Sequence, residues 1–262
     1  MMDMIDVFVG YDDSETISYN ILCHSIWSRA SVPVRITPLR KEQVPLEREV
    51  HDLQTTSFAF SRFLVPYLMR FRGHALYMDC DMLCLGDVAE LLEHADHRQA
   101  VSVVKHDYTP STATKFLNQK QSVYPELPNG ETRKNWSSLM LFNCYHIACA
   151  KLVPGFVNAE VPGRGLDLHQ FKWLADERIG PLPKEWNYLV GEENQCDSEK
   201  AKLLHWTLGA PCFESYIDAY GADLFWEEVG SMLTHKEVDG LYRLREVKAP
   251  FRALSDLHQE KR

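Results

Sequence analysis

Residues 75–87 have the sequence Ala-Leu-Tyr-Met-Asp-Cys-Asp-Met-Leu-Cys-Leu-Gly-Asp. Apart from Asp79 and Asp81, the interior of this stretch is apolar, which predicts a buried β-strand whose end carries carboxylates. In extended backbone, residues i and i+2 point to the same side, so the two aspartates can present their carboxylates to one point. Hard oxygen ligands of this kind suit Mg²⁺ or Mn²⁺. The alternative is a solvated turn, in which Asp-x-Asp is common, although charges that end an apolar strand are costly unless they are used.

The chain before this stretch predicts a βαβ unit. A β-rich run over residues 5–9 ends at Gly10, a polar turn follows, and Ser14 is the predicted N-cap of a helix. Apolar residues then recur at helical spacing, namely Ile17, Ile21, Leu22, Ile26 and Trp27. A second strand is expected at residues 34–36. A βαβ start implies a parallel sheet whose ligands bind at the C-terminal ends of the strands.

The middle of the chain predicts a helix, two strands and a long loop. The helix is expected over about residues 57–71, bent or restarted near Pro66 and closed by Gly73. The strands are expected at residues 101–104 and 138–142. Residues 105–135 between them are rich in Pro, Thr, Asn, Lys and Tyr, which predicts a long ordered loop or lid.

The composition limits the classes of partner. With 45% hydrophobic and 25% charged residues, the 262-residue chain is expected to fold as one globular domain. Its formal net charge of −9 argues against broad attraction to nucleic acid or anionic lipid, so no nucleic-acid partner is expected. No stretch approaches the roughly 20 apolar residues of a membrane span. The seven cysteines lack zinc-ribbon spacing and the N-terminus lacks a basic signal region, so a cytoplasmic enzyme with reduced thiols is expected.

Two segments together resemble the centre of the family-8 glycosyltransferases. They are residues 58–68, Phe-Ala-Phe-Ser-Arg-Phe-Leu-Val-Pro-Tyr-Leu, and residues 76–87, which match the family pattern LYLDADVLVLGD almost position for position. The resemblance implies the GT-A fold, an α/β fold in which a mainly parallel central sheet is flanked by helices. It implies a GT-A domain over residues 1–212, with residues 213–262 as a C-terminal helical extension packed on the same domain.

The resemblance also implies a metal site and a donor site. Residues 204–211 are similar to a late family motif in which His205 would be the third metal ligand beside Asp79 and Asp81. A neutral imidazole beside two carboxylates favours Mn²⁺ over Mg²⁺. Without the resemblance, His205 is read as a core or capping residue. The implied donor-binding residues are Gly10, Tyr11, Asp12, Arg62, Asp79, Trp136, Ser137 and Gly209.

Some of these residues have a structural alternative. Asp12 stands where the family contacts uracil, but an Asp after a strand also fits a turn or a helix cap. Arg62 corresponds to an arginine near the diphosphate, whereas a single Arg on an amphipathic helix is more often part of a structural ion pair. The polar segment Lys105-His106-Asp107 can contact the donor sugar or form a solvated turn.

Three departures from the family pattern fall in the regions that contact the sugar and the diphosphate. Trp136 stands where a sugar-contacting Asn is usual, and Ala210 stands where a Lys is usual. His169 replaces an acid beside Gln170, which matches the pattern. Gln170 and His169 are therefore the expected catalytic positions, in donor-sugar and acceptor pockets that have been rebuilt.

The expected activity is that of a retaining glycosyltransferase with Mn²⁺ (or Mg²⁺) as cofactor. It would move a hexose from a UDP-sugar to a saccharide, lipid or protein acceptor, with metal-assisted departure of the diphosphate. One alternative is a catalytically weak nucleotide-sugar-binding protein, which the departures at Trp136 and His169 keep open. The other is a metal-dependent nucleotidyltransferase, although the N-terminus lacks the Gly-rich basic phosphate loop expected of that class.

Overall fold

The computed structural model describes residues 4–48, 58–115, 119–159, 164–192 and 196–233. Nine strands in these residues form two sheets. They are β1 (Ile5–Gly10), β2 (Val34–Leu39), β3 (His74–Met78), β4 (Met82–Cys84), β5 (Val101–Val103), β6 (Leu139–Asn143), β7 (Ile179–Pro181), β8 (Tyr188–Leu189) and β9 (Leu203–His205). The α-helices are α1 (Thr16–Arg29), α2 (Val65–Leu68), α3 (Ala89–Leu92), α4 (Pro154–Val157), α5 (Arg164–His169) and α6 (Ala222–Leu233).

The larger sheet has six strands in the order β2-β1-β3-β6-β5-β7. Neighbouring strands are parallel except at β6, which is antiparallel to both β3 and β5. Successive residues of β3 face opposite sides, so that Ala75 and Tyr77 join one core cluster while Leu76 and Met78 join a second. A sheet covered on both faces buries nearly every residue of its central strands, as β3 and β6 do. The prediction of an α/β fold with a mainly parallel central sheet is confirmed.

The single strand predicted over residues 75–87 is divided between the two sheets. Strand β3 ends at Met78, the chain turns through Asp79-Cys80-Asp81, and β4 then pairs antiparallel with β9. The smaller sheet has the order β4-β9-β8. The prediction of one continuous strand is wrong because β4 finds its partner far along the chain, which a local apolar pattern does not reveal.

Helix α1 follows β1 as predicted, but its start and its buried face differ from the prediction. A 3-10 turn over Asp13–Glu15 comes first, and its cap is Asp12, whose carboxylate accepts hydrogen bonds from the Ser14 backbone N–H and hydroxyl at 3.0 and 2.7 Å. The predicted cap at Ser14 is therefore one of the groups that Asp12 binds. Of the five apolar residues that predicted the helix, Ile17 and Trp27 are exposed.

The helix predicted over residues 57–71 is shorter than expected. A 3-10 turn over Ser61–Leu64 leads into the four residues of α2, which carries Pro66 in its first turn. Proline has no N–H to donate to the carbonyl of Arg62, so the preceding turn cannot close as an α-helix. The helix then ends where Arg70 and Phe71 take left-handed backbone angles, before Gly73 does the same.

The long loop over residues 104–135 contains one isolated β-bridge, Thr114 with Lys120, and otherwise no strand or helix in its described residues. Several of its residues are nevertheless buried, including Tyr108, Arg133 and Lys134. The prediction of a long ordered loop is confirmed for the residues that the structure describes.

Helix α6 lies against α1. Its Phe225 contacts Trp206 edge to face at 5.7 Å between ring centroids, and its buried Glu228 forms an ion pair with Arg29 of α1 at 2.9 Å. The predicted helical tail continues to residue 262, and its part beyond residue 233 lies outside the described residues. The division at residue 212 stays a prediction.

Two remaining expectations concern the cysteines and membrane spans. All seven cysteines are free in the structure, and five of them are buried. None of the helices in the described residues has the length and apolar content needed to cross a bilayer.

Candidate active site

The fold brings together three of the predicted residues at the junction of the two sheets. Ligand atoms of Asp79, Asp81 and His205 all lie within 4.8 Å of one another. Asp79 is held by the larger sheet, because its backbone N–H donates to the Ser138 carbonyl at 2.9 Å. His205 ends β9 in the smaller sheet, and Asp81 directly precedes β4, where its carbonyl accepts from the Trp206 backbone N–H at 2.9 Å. Two sheets that meet at one turn thus position the three side chains that the sequence predicted to be metal ligands.

The carboxylate of Asp79 is surrounded by donors. The Tyr77 hydroxyl donates to one oxygen at 2.6 Å, and the Arg62 guanidinium lies 2.8 Å from the same oxygen and 3.3 Å from the other. Arg62 is buried and also donates to the carbonyls of Ala59 and Ser137. Burial raises the pKa of Asp79. The charge of Asp81 adds to this shift, and the charge of Arg62 opposes it. The predicted structural alternative for Arg62, an ion pair, is therefore present, and it is made with a predicted metal ligand.

The orientation of His205 follows from a chain of hydrogen bonds. The Ser138 hydroxyl donates to the Asn135 carbonyl at 2.7 Å and accepts from the side-chain N–H of Asn187 at 2.9 Å. The side-chain oxygen of Asn187 consequently faces His205 Nδ1 at 2.9 Å, and Nδ1 carries the proton that this oxygen accepts. The other ring nitrogen, Nε2, is left to face the carboxylate of Asp81 at 3.2 Å. A second hydrogen bond that fixes the tautomer is typical of histidines that bind metals.

This donor set fits a divalent ion. A neutral imidazole nitrogen and a carboxylate oxygen 3.2 Å apart are both acceptors, so the contact requires a proton or a metal cation between them. Two carboxylates and one imidazole are ligands that Mn²⁺ and Mg²⁺ accept, with imidazole favouring the transition metal.

The predicted nucleotide-binding residues lie at the C-terminal end of β1. Gly10 is buried, and a Cβ at this position would overlap the Phe58 ring, so a larger residue would require that ring to move. Tyr11 is half-buried, with its ring 5.1 Å from that of Tyr19 and the Arg40 guanidinium 4.6 Å above it. Asp12 caps the following turn, which was its structural alternative.

His169 lies next to Ser137, close to the ion pair of Arg62 with Asp79. Its Nδ1 is 2.8 Å from the Ser137 hydroxyl, and its ring contacts those of Phe60 and Phe63 at 5.5 and 5.1 Å. Burial holds the pKa of His169 well below its usual value, and the positive charge of Arg62 adds to this shift. The imidazole is therefore neutral at physiological pH.

Gln170 and Trp136 are turned toward the long loop. The Gln170 side-chain N–H donates to the carbonyls of Pro125 and Thr132 at 2.7 and 2.9 Å, and its side-chain oxygen is buried without a partner among the described residues. The Trp136 indole N–H donates to the carbonyl of His106 at 2.8 Å, and the side chain is buried in the core. In this conformation both side chains hold the loop in place.

Gly209 lies in the turn that follows β9. Its backbone N–H donates to the carbonyl of Trp206 at 3.0 Å, and its φ is 156°. The neighbouring Thr207 is buried, and its hydroxyl has no partner within the described ranges. The turn thus places a buried polar atom two residues from the predicted metal ligand His205.

Comparison with known proteins identifies the relatives of this chain. No protein-family model matches it. Protein CDI of Arabidopsis thaliana is 40% identical over 230 residues, and the match covers 85% of each chain. The chain belongs to the CDI family.

Solved structures share the fold of this CDI-family chain. WbbM, a bifunctional glycosyltransferase, has a TM-score of 0.58 at 16% identity, with 86% of this chain and 49% of WbbM covered. This chain thus spans about half the length of WbbM. The galactosyltransferase LgtC, in complex with donor and acceptor sugar analogs, has a TM-score of 0.56 at 13% identity, with 89% and 98% covered. GlyE of Streptococcus pneumoniae TIGR4 has a TM-score of 0.56 at 12% identity, with 96% and 64% covered. The CDI-family chain therefore has a GT-A-like fold.

Near the candidate active site, the structure of this CDI-family chain places further residues that the sequence did not predict. Glu15 is buried at the start of α1, where the Cys80 thiol donates to its carboxyl at 3.5 Å. Burial raises the pKa of Glu15 to about 8, and the nearby charge of Asp81 adds to the shift. No local pattern distinguishes Glu15 from the acids at the start of any helix. Asn187 was not among the expected site residues, because its bond to His205 depends on the tertiary structure.

His106 is a further buried polar residue beside the site. Burial and the charge of His205 lower the pKa of His106 to about 3, and its Nε2 has no hydrogen-bond partner in the part of the chain that the structure describes. A buried nitrogen without a partner is unfavourable unless a ligand or water binds it. The segment Lys105-His106-Asp107 was expected either to contact the donor sugar or to form a solvated turn. The buried His106 does not fit a solvated turn.

Proposed function

We propose that this protein is a retaining glycosyltransferase that moves a hexose from a UDP-sugar to an acceptor hydroxyl. The observation that carries the proposal is the cluster of Asp79, Asp81 and His205 at the strand ends of a GT-A-like sheet, with the histidine tautomer set to present Nε2. We infer Mn²⁺ as the ion, with Mg²⁺ as the alternative, because of the imidazole ligand.

The residues around the cluster support distinct tasks. We assign base binding to Gly10, Tyr11 and Asp12, because nucleotide ligands of α/β sheets bind beyond the C-terminal ends of the strands. We assign the diphosphate to the region near Arg62 and Gly209. A bound divalent ion would stabilise the negative charge that the diphosphate carries as it leaves.

His169 supports retention of the anomeric configuration. An inverting enzyme needs a base that removes the acceptor proton, and such a base works best when its pKa lies near the operating pH. Burial and the charge of Arg62 hold the pKa of His169 well below its usual value, which makes it a poor base. Front-side departure, in which a diphosphate oxygen accepts the acceptor proton, needs no such residue.

The free cysteines and the core of α6 support two further assignments. We infer a cytoplasmic location, since seven free thiols suit a reducing compartment. We also propose that residues 1–212 form the GT-A domain and that the helical extension begins at residue 213, with its described part, up to residue 233, packed on the domain, because Phe225 shares its core with Trp206. The acceptor is a saccharide, a lipid or a protein.

A screen of nucleotide sugars by thermal shift in the presence of Mn²⁺ tests the donor. A ligand at a hundred times its Kd adds about 2.7 kcal/mol of stability, which is readily measured. We expect a UDP-hexose to stabilise the protein with Mn²⁺ and not with a chelator. Stabilisation by another nucleotide sugar alone would replace the donor, and stabilisation by none would contradict the proposal.

Proton NMR of the first-formed product tests the stereochemistry. We expect an α-linked donor to give an α-linked product. A β-linked product would contradict retention and would make His169 the base to test, with loss of turnover in His169→Gln as the readout.

A second candidate function is nucleotide-sugar binding with little turnover. It is favoured by Gln170, an expected catalytic residue whose amide is occupied by two carbonyls of the loop. Donor-dependent stabilisation without any transfer or hydrolysis over long incubation would support this candidate over the transferase.

A further inference from the structure

Arg133 and Lys134 are neighbouring cations of the long loop, and they differ in how completely their charges are paired. Arg133 is buried and fully paired, with Asp176 at 2.7 Å, Glu131 at 3.0 Å and the Gln170 carbonyl at 3.0 Å. Lys134 is also buried, with 6% of its surface exposed, yet its ammonium has one hydrogen bond within the described residues, to the Ser122 carbonyl at 3.1 Å. Lys134 thus has no carboxylate partner in the part of the chain that the structure describes.

Lys134 is connected with the candidate active site through the rings of Tyr124 and His169. Its ammonium lies 4.8 Å from the centre of the Tyr124 ring, and that ring lies 6.4 Å from the ring of His169. His169 in turn contacts Ser137, whose carbonyl binds Arg62, the partner of Asp79. A continuous series of contacts therefore connects Lys134 with the predicted metal ligands.

A second lysine of the same loop lies close by. Burial acts to raise the pKa of Asp81, but His205 lowers it, and the charge of Lys115 is near enough to add to this lowering. Burial lowers the pKa of Lys134 to about 7, and the charge of Lys115 adds to the shift. The nearby carboxylate of Glu192 opposes this shift, but one of its oxygens accepts from the Ser111 N–H at 2.8 Å and the other has no partner among the described residues. The charges of the two lysines thus act on one another, and neither lysine forms an ion pair among the described residues.

A buried cation without a partner lowers the stability of the folded protein, because it loses its hydration and gains little in return. A methionine of similar length would avoid this loss, so packing does not explain a lysine at position 134. An anion bound between Lys115 and Lys134 would provide the missing charge and hydrogen-bond acceptors. Arg62 cannot fully serve that purpose, since its guanidinium is already engaged by Asp79 and two carbonyls.

We propose that Lys134, assisted by Lys115, binds the diphosphate group of the donor from the side of the loop, opposite the metal ligands. The inference rests on the proposed function, because the donor class comes from it. Lys115 and Lys134 of the long loop are accordingly parts of the donor site, and they give positive charge to an otherwise acidic chain.

The variant Lys134→Met tests the assignment with two measurements that a structural role would not move together. We expect its affinity for UDP with Mn²⁺, measured by calorimetry, to fall between about 10-fold and 100-fold, the range of a lost charge-assisted hydrogen bond. We expect the ligand-free variant to unfold at a higher denaturant concentration than the natural protein. This second measurement belongs at pH 6, where an amine with a pKa of about 7 is charged and its burial is most unfavourable.

Three further variants serve as controls. Lys120→Met changes an exposed lysine of the same loop and should alter neither affinity nor stability. Arg133→Met removes a paired buried cation and should lower stability. Lys115→Met changes a half-buried residue and should weaken UDP binding several-fold, which keeps the test decisive if Lys134→Met does not fold.

The outcomes separate this inference from the proposed function. Unchanged UDP affinity in both Lys134→Met and Lys115→Met would overturn the inference and leave the proposed function standing. Binding of pyrophosphate with Mn²⁺ that depends on Lys134, without binding of UDP, would support the inference and overturn the donor. A natural protein that binds neither ligand would overturn both.

Discussion

The site has two walls, and their polar atoms differ in how completely they are paired. The strand wall consists of Asp79, Asp81 and His205 with their partners Arg62 and Asn187, and each of these side chains has a defined contact. The loop wall consists of Lys115, Lys134 and His106 of the long loop, together with Gln170, whose side chain binds the loop. There, an ammonium lacks a carboxylate, and His106 Nε2 and the Gln170 side-chain oxygen lack any partner in the described ranges.

The difference in pairing distinguishes side chains that the fold orients by itself from polar atoms that a bound ligand would pair. Side chains whose hydrogen bonds are satisfied by the protein keep their orientation without a ligand, so the strand wall is preorganised. Buried polar atoms without partners favour whatever molecule can pair with them. Substitutions in the two walls should therefore have different effects. Substitutions in the strand wall should weaken metal binding, and substitutions in the loop wall should weaken donor binding.

The largest expected effect is at Asp81. Asp81→Ala removes one metal ligand and leaves no buried cation unpaired, so it should abolish Mn²⁺-dependent UDP binding while the protein still folds. Asp79→Ala should abolish binding as well, but it also leaves Arg62 buried without its partner, which costs about 3–5 kcal/mol of stability. Calorimetry with Mn²⁺ and UDP, and chemical unfolding, measure the two effects. Natural affinity in Asp81→Ala would exclude the strand wall as the metal site.

The next largest effect is expected at Glu15. This residue adds a third carboxyl close to those of Asp79 and Asp81. Its pKa in the folded protein, about 8, lies above its ordinary value of 4.5, so the folded state retains a proton that the unfolded state loses between these pH values. The stability that this proton provides is complete below pH 4.5 and is lost as the pH rises toward 8. Glu15→Gln should therefore be more stable than the natural protein by a few kcal/mol at pH 8, at about 1.4 kcal/mol per pKa unit.

Unfolding curves at pH 4.5 and pH 8 in the presence of a chelator measure the effect of Glu15→Gln. The two proteins should have similar stability at the lower pH. Added Mn²⁺ should reduce the difference at pH 8, because a nearby cation stabilises the ionised carboxyl. A difference that is independent of pH would contradict this account of Glu15.

The smallest of the three effects is at Asn187, which acts on the strand wall through His205. Asn187→Ala removes the acceptor that fixes the tautomer and orientation of the imidazole. We expect Mn²⁺ affinity to fall by about 10-fold to 100-fold, the usual range for the loss of a residue that orients a metal ligand. Asn187→Asp keeps an acceptor at this position and should retain most of the affinity. Equal losses in both variants would show that the carboxamide does not set the tautomer.

The sequence predicted the β1–α1–β2 unit and the convergence of Asp79, Asp81 and His205, because strand ends and motif matches are local signals. It did not predict that residues 75–87 divide between two sheets, since the partner strand β9 follows much later in the chain. Glu15, Asn187 and Lys134 were missed for the same reason. Their roles depend on contacts across the fold, and each is an ordinary residue within its own segment.

The placement of the three predicted metal ligands on two sheets has a mechanical consequence. Asp79 is fixed to the larger sheet through Ser138, while Asp81 and His205 are fixed to the smaller sheet by the pairing of β4 with β9. A bound ion would therefore act as a cross-link between distant parts of a chain that has no disulfide, since all seven cysteines are free. Because only the folded chain brings the three ligands together, the ion would bind the folded state and stabilise it. Amide protons of the smaller sheet should then exchange with solvent more slowly once the ion is bound.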